Sequence, residues 1–129
     1  MMDKNCEGLE YLTWDQFDSP DQPGSGYKFM EREPVLILDR LVHKTKMILD
    51  IELAYVTPNT ARFLSLPSND SHRIGKAVRL RVLNPKKRMR VVSCLIDQGV
   101  RRINLDNETV YFDTDDQKPE WLGLGIWKR

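Results

Sequence analysis

Hydrophobic residues recur along this chain at two spacings, helical and alternating, and each specifies a kind of element. Val35, Leu38, Leu41 and Val42 repeat at helical spacing behind Pro34, a residue well suited to a helix's first turn, which predicts a helix from Pro34 to about Lys46. Leu49, Ile51, Leu53 and Tyr55 alternate with Asp50, Glu52 and Ala54, the pattern of a half-buried strand. A second strand is predicted over 77–83, with Val78, Leu80 and Val82 on one face and Ala77, Arg79 and Arg81 on the other. Asn84-Pro85 reads as a helix start, Asn as N-cap and Pro at the first helical position; Met89, Val92, Leu95 and Ile96 form the predicted apolar stripe, and Gly99 the stop. Val100–Leu105 and Thr109–Thr114 are two short strands joined by Asp106-Asn107-Glu108 as a hairpin.

The intervening segments are built from turn formers. Asp18-Ser19-Pro20-Asp21-Gln22-Pro23-Gly24-Ser25-Gly26 sets turn dihedrals, and the aromatics Tyr11, Trp14, Phe17, Tyr27 and Phe29 flank it, so residues 1–29 are expected to form an ordered loop region. Residues 57–71, with Pro58 and Pro67, read as mostly loop. A C-terminal extension, 115–129, ends in Trp121, Leu122, Leu124, Ile126 and Trp127, too apolar for a disordered tail and expected to pack or to meet a partner. The order loop, α, β, long loop, β, α, β, β, without repeats, predicts one α+β domain over 1–129 with two main helices and a small antiparallel sheet.

Composition narrows the classes. A chain of 129 residues can bury a core without disulfide staples. Mean hydropathy is −0.51, and the longest apolar runs are about four residues, far short of a membrane span. No basic-then-apolar leader opens the sequence, so no secretory signal is expected. Cys6 and Cys94 match no metal or redox spacing and read as two unpaired thiols, Cys94 as buried and inert within its helix. The near-neutral total of 20 basic and 19 acidic side chains hides an asymmetry, because residues 73–102 carry ten basic residues and only Asp97 as an acid. Such a stretch could face phosphate or an acidic partner. Little aromatic interleaving and no nucleic-acid motif favour a solvated face complementing the acidic N-terminal half. Lys86-Lys87-Arg88-Met89-Arg90 reads likewise, as the exposed start of a helix or as an anion patch.

Five strings in order carry a resemblance: Phe17 through Gly26; Ala54-Tyr55-Val56-Thr57-Pro58-Asn59; Ser71-His72-Arg73-Ile74-Gly75-Lys76-Ala77-Val78-Arg79; Tyr111-Phe112-Asp113; and Trp121-Leu122. Over residues 11–122 the chain resembles the zinc-dependent D-alanyl-D-alanine carboxypeptidase and L-alanyl-D-glutamate endopeptidase family, in its short phage and prophage branch, which cleaves cell-wall peptides. The resemblance implies a DD-peptidase/Hedgehog-like fold. It also implies a zinc held by His72, by an Asp where Arg79 stands and by a second His where Tyr111 stands, with an acid/base Glu at Glu108 and Asp113 closing the motif. The family's substrate-positioning Ser and Arg are replaced by Leu53 and Val56.

A catalytic zinc site needs three protein ligands and an open position, and one imidazole does not hold the ion; the fixed charge of Arg79 repels it. Asp113 and Glu108 could supply oxygens only in a rebuilt site. His72, Arg79, Glu108, Tyr111 and Asp113 are therefore expected to mark a lost centre, with no cofactor and no metal. His72 is read as a loop histidine bonded to backbone. Arg79 is read either as an ion-pair partner of Glu108 or Asp113 or as facing solvent. The resulting expectation is a non-catalytic structural or protein-binding component of a bacteriophage particle, located in the virion or in the host cytoplasm during assembly. Its partners would be other phage proteins, docking on Trp121, Leu124, Ile126 and Trp127 and on Lys86, Lys87, Arg88 and Arg90. Membrane is excluded and nucleic acid disfavoured. A cell-wall peptide-binding module and a residual zinc peptidase are the alternatives.

Overall fold

The computed structural model describes residues 9–124. A short helix, α1 (Ser25–Phe29), and a long one, α2 (Arg32–Thr45), precede β1 (Asp50–Leu53); α3 (Pro58–Phe63) and β2 (Ala77–Arg81) follow, then α4 (Pro85–Asp97), β3 (Arg102–Leu105), β4 (Thr109–Asp113) and β5 (Trp121–Leu124). Single 3₁₀ turns lie at Trp14–Phe17 and Ser71–Ile74. The architecture is α+β: one five-stranded sheet in the order β1-β2-β4-β3-β5.

The sheet is mixed where an antiparallel one was expected. Its first four strands pair antiparallel, but β5 runs parallel to β3. After β4 the chain crosses the end of β3 through residues 114–120. There Arg102 Nη1 donates to the Pro119 carbonyl at 2.7 Å and Trp121 N to the Arg101 carbonyl at 2.9 Å. The apolar end of the chain thus becomes an edge strand as far as Leu124; Ile126 and Trp127 lie outside the described residues.

One face of the sheet carries the core. Val78, Leu80, Ile103, Val110 and Phe112 meet Val35, Leu38 and Leu41 of α2 and Val91, Val92 and Leu95 of α4. Burying each such side chain contributes roughly 1.5–3 kcal/mol. The predicted stripe of α4 is corrected here: Met89 and Ile96 are 59% and 53% exposed, and Val91 and Cys94 are buried in their place. The start of the helix sets this rotation. Asn84 Oδ1 caps the Lys87 amide at 3.0 Å, and Arg88 Nη1 donates to the carbonyls of Val82 at 2.7 Å and Leu83 at 2.9 Å, which aims 91 and 95 at the sheet.

Two predicted loops contain helix. In 57–71, Thr57 accepts the Thr60 amide through its side chain and Pro58 takes the first position, so α3 forms although it buries only Ala61. In the N-terminal region, Asp18 accepts the amides of Gly24 and Gly26 and so frames the entry to α1. Trp14 and Phe17 are buried as anchors, whereas Tyr11 and Phe29 are largely exposed. The buried Asp39 carboxylate of α2 accepts the amides of Glu10, Tyr11 and Leu12, tying that strand of chain to the helix.

The register of β1 slips between Ile51 and Leu53. The extra residue is Glu52, and the bulge turns Leu53 away from the main core. Leu53 instead packs with Val56, Ala61 and Leu66 in a small second cluster beneath α3. No helix among the described residues is long and apolar enough to cross a membrane.

Candidate functional site

The sheet face opposite the two long helices is polar, and the residues singled out by the resemblance converge on it. His72 lies in the 3₁₀ turn that enters β2, its amide capped by Asp70 Oδ1 at 2.8 Å. Its side chain is 1% exposed. Nδ1 lies 2.7 Å from the Ala54 carbonyl. A carbonyl only accepts, so Nδ1 carries the proton and Nε2 is a bare lone pair. That Nε2 is buried and has no hydrogen-bond partner among the described residues. Burial pushes the imidazole below its usual range, against the opposing pull of the Asp70 carboxylate. The expected backbone bond of His72 is present; the orphaned second nitrogen was not foreseen.

Arg79 and Tyr111 are direct cross-strand partners on β2 and β4, and the His72 ring meets the Tyr111 ring edge-on at 5.5 Å. Tyr111 donates its hydroxyl to Asp113 Oδ2 at 2.5 Å, and Arg102 Nε donates to Oδ1 at 2.8 Å. Burial, with the Asp113 charge beside it, drives the Tyr111 phenol far above its ordinary range, so it stays a neutral donor. Arg79 makes neither of the ion pairs proposed for it. Its Nη1 lies 3.8 Å from Glu52 Oε1, while Arg81 Nη1 lies 3.7 Å from the other oxygen of the same carboxylate. The bulge in β1 sets Glu52 over β2 between the two guanidiniums. Asp113 is occupied by Arg102, and Glu108 is exposed in the β3–β4 turn, contributing its carbonyl to the Val82 amide at 2.7 Å.

Of these side chains Glu52, Arg79, Arg102 and Tyr111 wall a cleft of about 430 Å³, with Asp70 and Ser71 at one side and Asn104 and Trp121 at the other. The Trp121 ring lies over the Arg102 guanidinium at 5.3 Å and near Tyr111 at 6.2 Å. Of the predicted docking residues whose side chains are described, only Trp121 lines this cleft. Leu124 continues β5 opposite Leu105. Lys86, Lys87, Arg88 and Arg90 sit on α4, across the sheet, so the two predicted halves of the docking surface are not one patch. Lys86, Lys87 and Arg90 are exposed.

Several residues of the site carried no sequence signal. Lys118 Nζ reaches Ser71 Oγ at 2.8 Å, the Asn69 carbonyl at 2.5 Å and Asp115 Oδ2 at 3.5 Å. Asp115 also accepts the Ser71 hydroxyl at 2.8 Å. This clasp holds 115–118 against the turn carrying His72. Beside the second cluster, Asp21 accepts the hydroxyls of Ser19, Thr57 and Thr60 at 2.6–2.9 Å. Those three bonds, Ser19 foremost, lower its pKa to about 2.

Depressed carboxylates give a signed expectation. A group whose folded pKa lies below its unfolded value stabilises above the unfolded value, near 4, and loses that contribution as the pH falls through the folded one. The melting temperature is therefore expected to fall between pH 4 and about 2, where Asp21 titrates. Asp21→Asn should flatten that decline while leaving the melt at pH 7 lower than wild type. A wild-type profile flat from pH 5 to 2 in circular-dichroism melts contradicts it.

Among the described residues, no group of three His, Cys, Asp or Glu side chains could hold a metal ion. What the cleft offers is a neutral phenol and guanidiniums half engaged by carboxylates, with one imidazole lone pair buried beside Tyr111. Comparison with protein-family models, curated protein sequences and solved structures gives no match.

Proposed function

We propose that the chain is a non-catalytic descendant of the zinc cell-wall peptidase fold, working as a protein-binding component of a bacteriophage particle. The observation that supports this most is the gathering of His72, Arg79 and Tyr111 at one spot on the sheet, with two of the three unable to ligate. The turn entering β2, β2 itself and the later strand β4 bring these three positions together, as a metal would need. There the second carries a permanent positive charge and the third a phenol already bonded to Asp113. Retained scaffold with lost ligands is the pattern left when selection acts on a surface and no longer on a metal.

The purified chain is expected to carry substoichiometric zinc by mass spectrometry of the metal content, to release nothing from purified peptidoglycan, and to be present in purified virions. Stoichiometric zinc, with hydrolysis abolished by chelator and by His72→Ala, overturns the proposal; absence from particles removes the virion assignment. Binding of cell-wall peptides without cleavage is the second reading, favoured by the open polar cleft beside Tyr111. Co-sedimentation with purified cell walls tests it.

A further inference from the structure

The cleft on the polar face of the sheet is balanced in charge and lacks an aliphatic wall. Three acids, Glu52, Asp70 and Asp106, and three bases, Arg79, Arg102 and Lys118, line it. Each already has a partner. Glu52 faces Arg79, Arg102 holds Asp113, and Lys118 holds Asp115. Asp70 takes the amide of His72, and Asp106 takes those of Glu108 and Thr109. Behind them Arg81 shares Glu52 and stands opposite Asp50. Among the described lining residues there is no Leu, Ile, Val, Met or Phe; carbon surface comes from the rings of Tyr111 and Trp121 and from Pro67. The two rings are partly exposed, with centroids 6.2 Å apart and planes inclined at 63°, so they form a corner. Arg79, Tyr111 and Asn104 stand opposite one another on β2, β4 and β3. At the spacing of strands that row is about 10 Å long. The Glu52–Arg79 pair, at 3.8 Å, is too long for a hydrogen bond, so both groups keep bonding capacity.

We propose that this cleft binds a short neutral oligosaccharide, one sugar ring in the corner between Tyr111 and Trp121, beside Asn104, and the next over Arg79 and Glu52. Its volume of about 430 Å³ lies within the range of small-molecule sites, about 300–1,000 Å³, and the row from Asn104 to Arg79 matches the length of two linked pyranose rings. Three features select such a ligand. An ion of either sign meets charges that are already compensated, and gains no net attraction. A peptide with apolar side chains finds no aliphatic wall to bury them against. A sugar instead offers hydroxyls, each both donor and acceptor, to guanidinium, amide and carboxylate groups in fixed planes, and a flat face of C–H groups to an aromatic ring. The site goes beyond the proposed function and stands whether or not the chain descends from a peptidase.

The test is titration of the full chain, by calorimetry and by amide NMR shifts, with cellotriose, maltotriose and triacetylchitotriose. An acidic trimer of galacturonate, a basic trimer of glucosamine and the dipeptide L-alanyl-D-glutamate run beside them. At least one neutral trimer is expected to bind with a dissociation constant of about 0.1–1 mM. That affinity should hold between about 0.02 and 0.5 M salt, because no net charge is neutralised. Shifts should centre on Arg79, Asn104, Tyr111 and Trp121. Trp121→Ala should cost at least about tenfold. Arg79→Ala, at a side chain 40% exposed, leaves the fold intact and should cost at least about threefold, so the site stays testable if Trp121→Ala melts. Four outcomes overturn it: no neutral trimer binding below about 10 mM, a charged trimer or the dipeptide binding more tightly than every neutral one, shifts confined to other surfaces, or an affinity unmoved by both substitutions.

Discussion

Replacing Gly75 with alanine is expected to lower the melting temperature by more than about 10 °C, the loss of several kcal/mol in a chain of this length. Gly75 ends the 3₁₀ turn that holds His72 and adopts φ +72°. A side chain there costs about 1–2 kcal/mol in backbone strain alone. The larger cost is steric. An added Cβ would stand 2.2 Å from the Phe29 carbonyl oxygen and 2.9 Å from Met30 Cα. Both are backbone atoms at the junction of α1 and α2, where the Gly75 carbonyl accepts the Glu31 amide at 2.9 Å. A flexible side chain could swing aside, but this backbone is anchored on both sides by helices. Gly99 provides the control: its φ is +88°, and an added Cβ meets nothing within 4 Å. Gly99→Ala should therefore cost only the strain, a few degrees of melting temperature. Equal losses in the two variants, measured by thermal circular dichroism, defeat the steric argument. Because the turn is one wall of the cleft, Gly75→Ala should also weaken any ligand of that cleft more than Gly99→Ala does.

What could be read in the sequence divides along physical lines. Elements with a clear apolar period, α2, β2, β4 and the Asn84-capped α4, lie close to where periodicity and capping put them, because their burial and their local chemistry agree. α3 was missed because six residues carry no apolar stripe: its signal was the Thr57-Pro58 start. The rotation of α4 was misread because Met89 and Ile96 are as apolar as Val91, and only the Arg88 bonds to Val82 and Leu83 distinguish the two faces. The parallel pairing of β5 depends on where 114–120 crosses β3, which no local pattern encodes. At the site, His72, Arg79, Tyr111 and Asp113 lie together on the polar face of the sheet. The partner of Arg79 was out of reach. A regular strand puts Leu53 with the core, and only the bulge at Glu52 brings a carboxylate over β2 and turns Leu53 to the other side. The clasp of Lys118 on Ser71 and Asp115 joins residues 47 apart in sequence without motif or period.

If the chain descends from a zinc peptidase as proposed, supplying a carboxylate at 79 and an imidazole at 111 should create a metal site. In the double variant Arg79→Asp, Tyr111→His, zinc is expected to bind at one ion per chain with a dissociation constant below about 1 µM, worth about 8 kcal/mol, against no stoichiometric binding in the wild-type chain. Three features of the wild-type geometry support this. His72 already holds its Nδ1 proton on the Ala54 carbonyl, which leaves Nε2 as the free donor, and a hydrogen bond of this kind fixes the tautomer of a ligating imidazole. Positions 79 and 111 are opposite one another on adjacent antiparallel strands, so their Cβ atoms lie about 5 Å apart. The substitution removes a guanidinium charge and adds a carboxylate, which reverses the field at the site. The Tyr111 phenol also leaves Asp113, which keeps Arg102 as its partner. His72→Ala in the same background should abolish binding, while each single substitution should bind far more weakly than the pair, because zinc affinity depends on a complete ligand set. Isothermal titration and metal analysis after dialysis decide the matter. If the double variant folds, as its melt will show, and takes up no zinc, these three positions are not the remnant of a metal centre, and the descent from a zinc peptidase loses its main support.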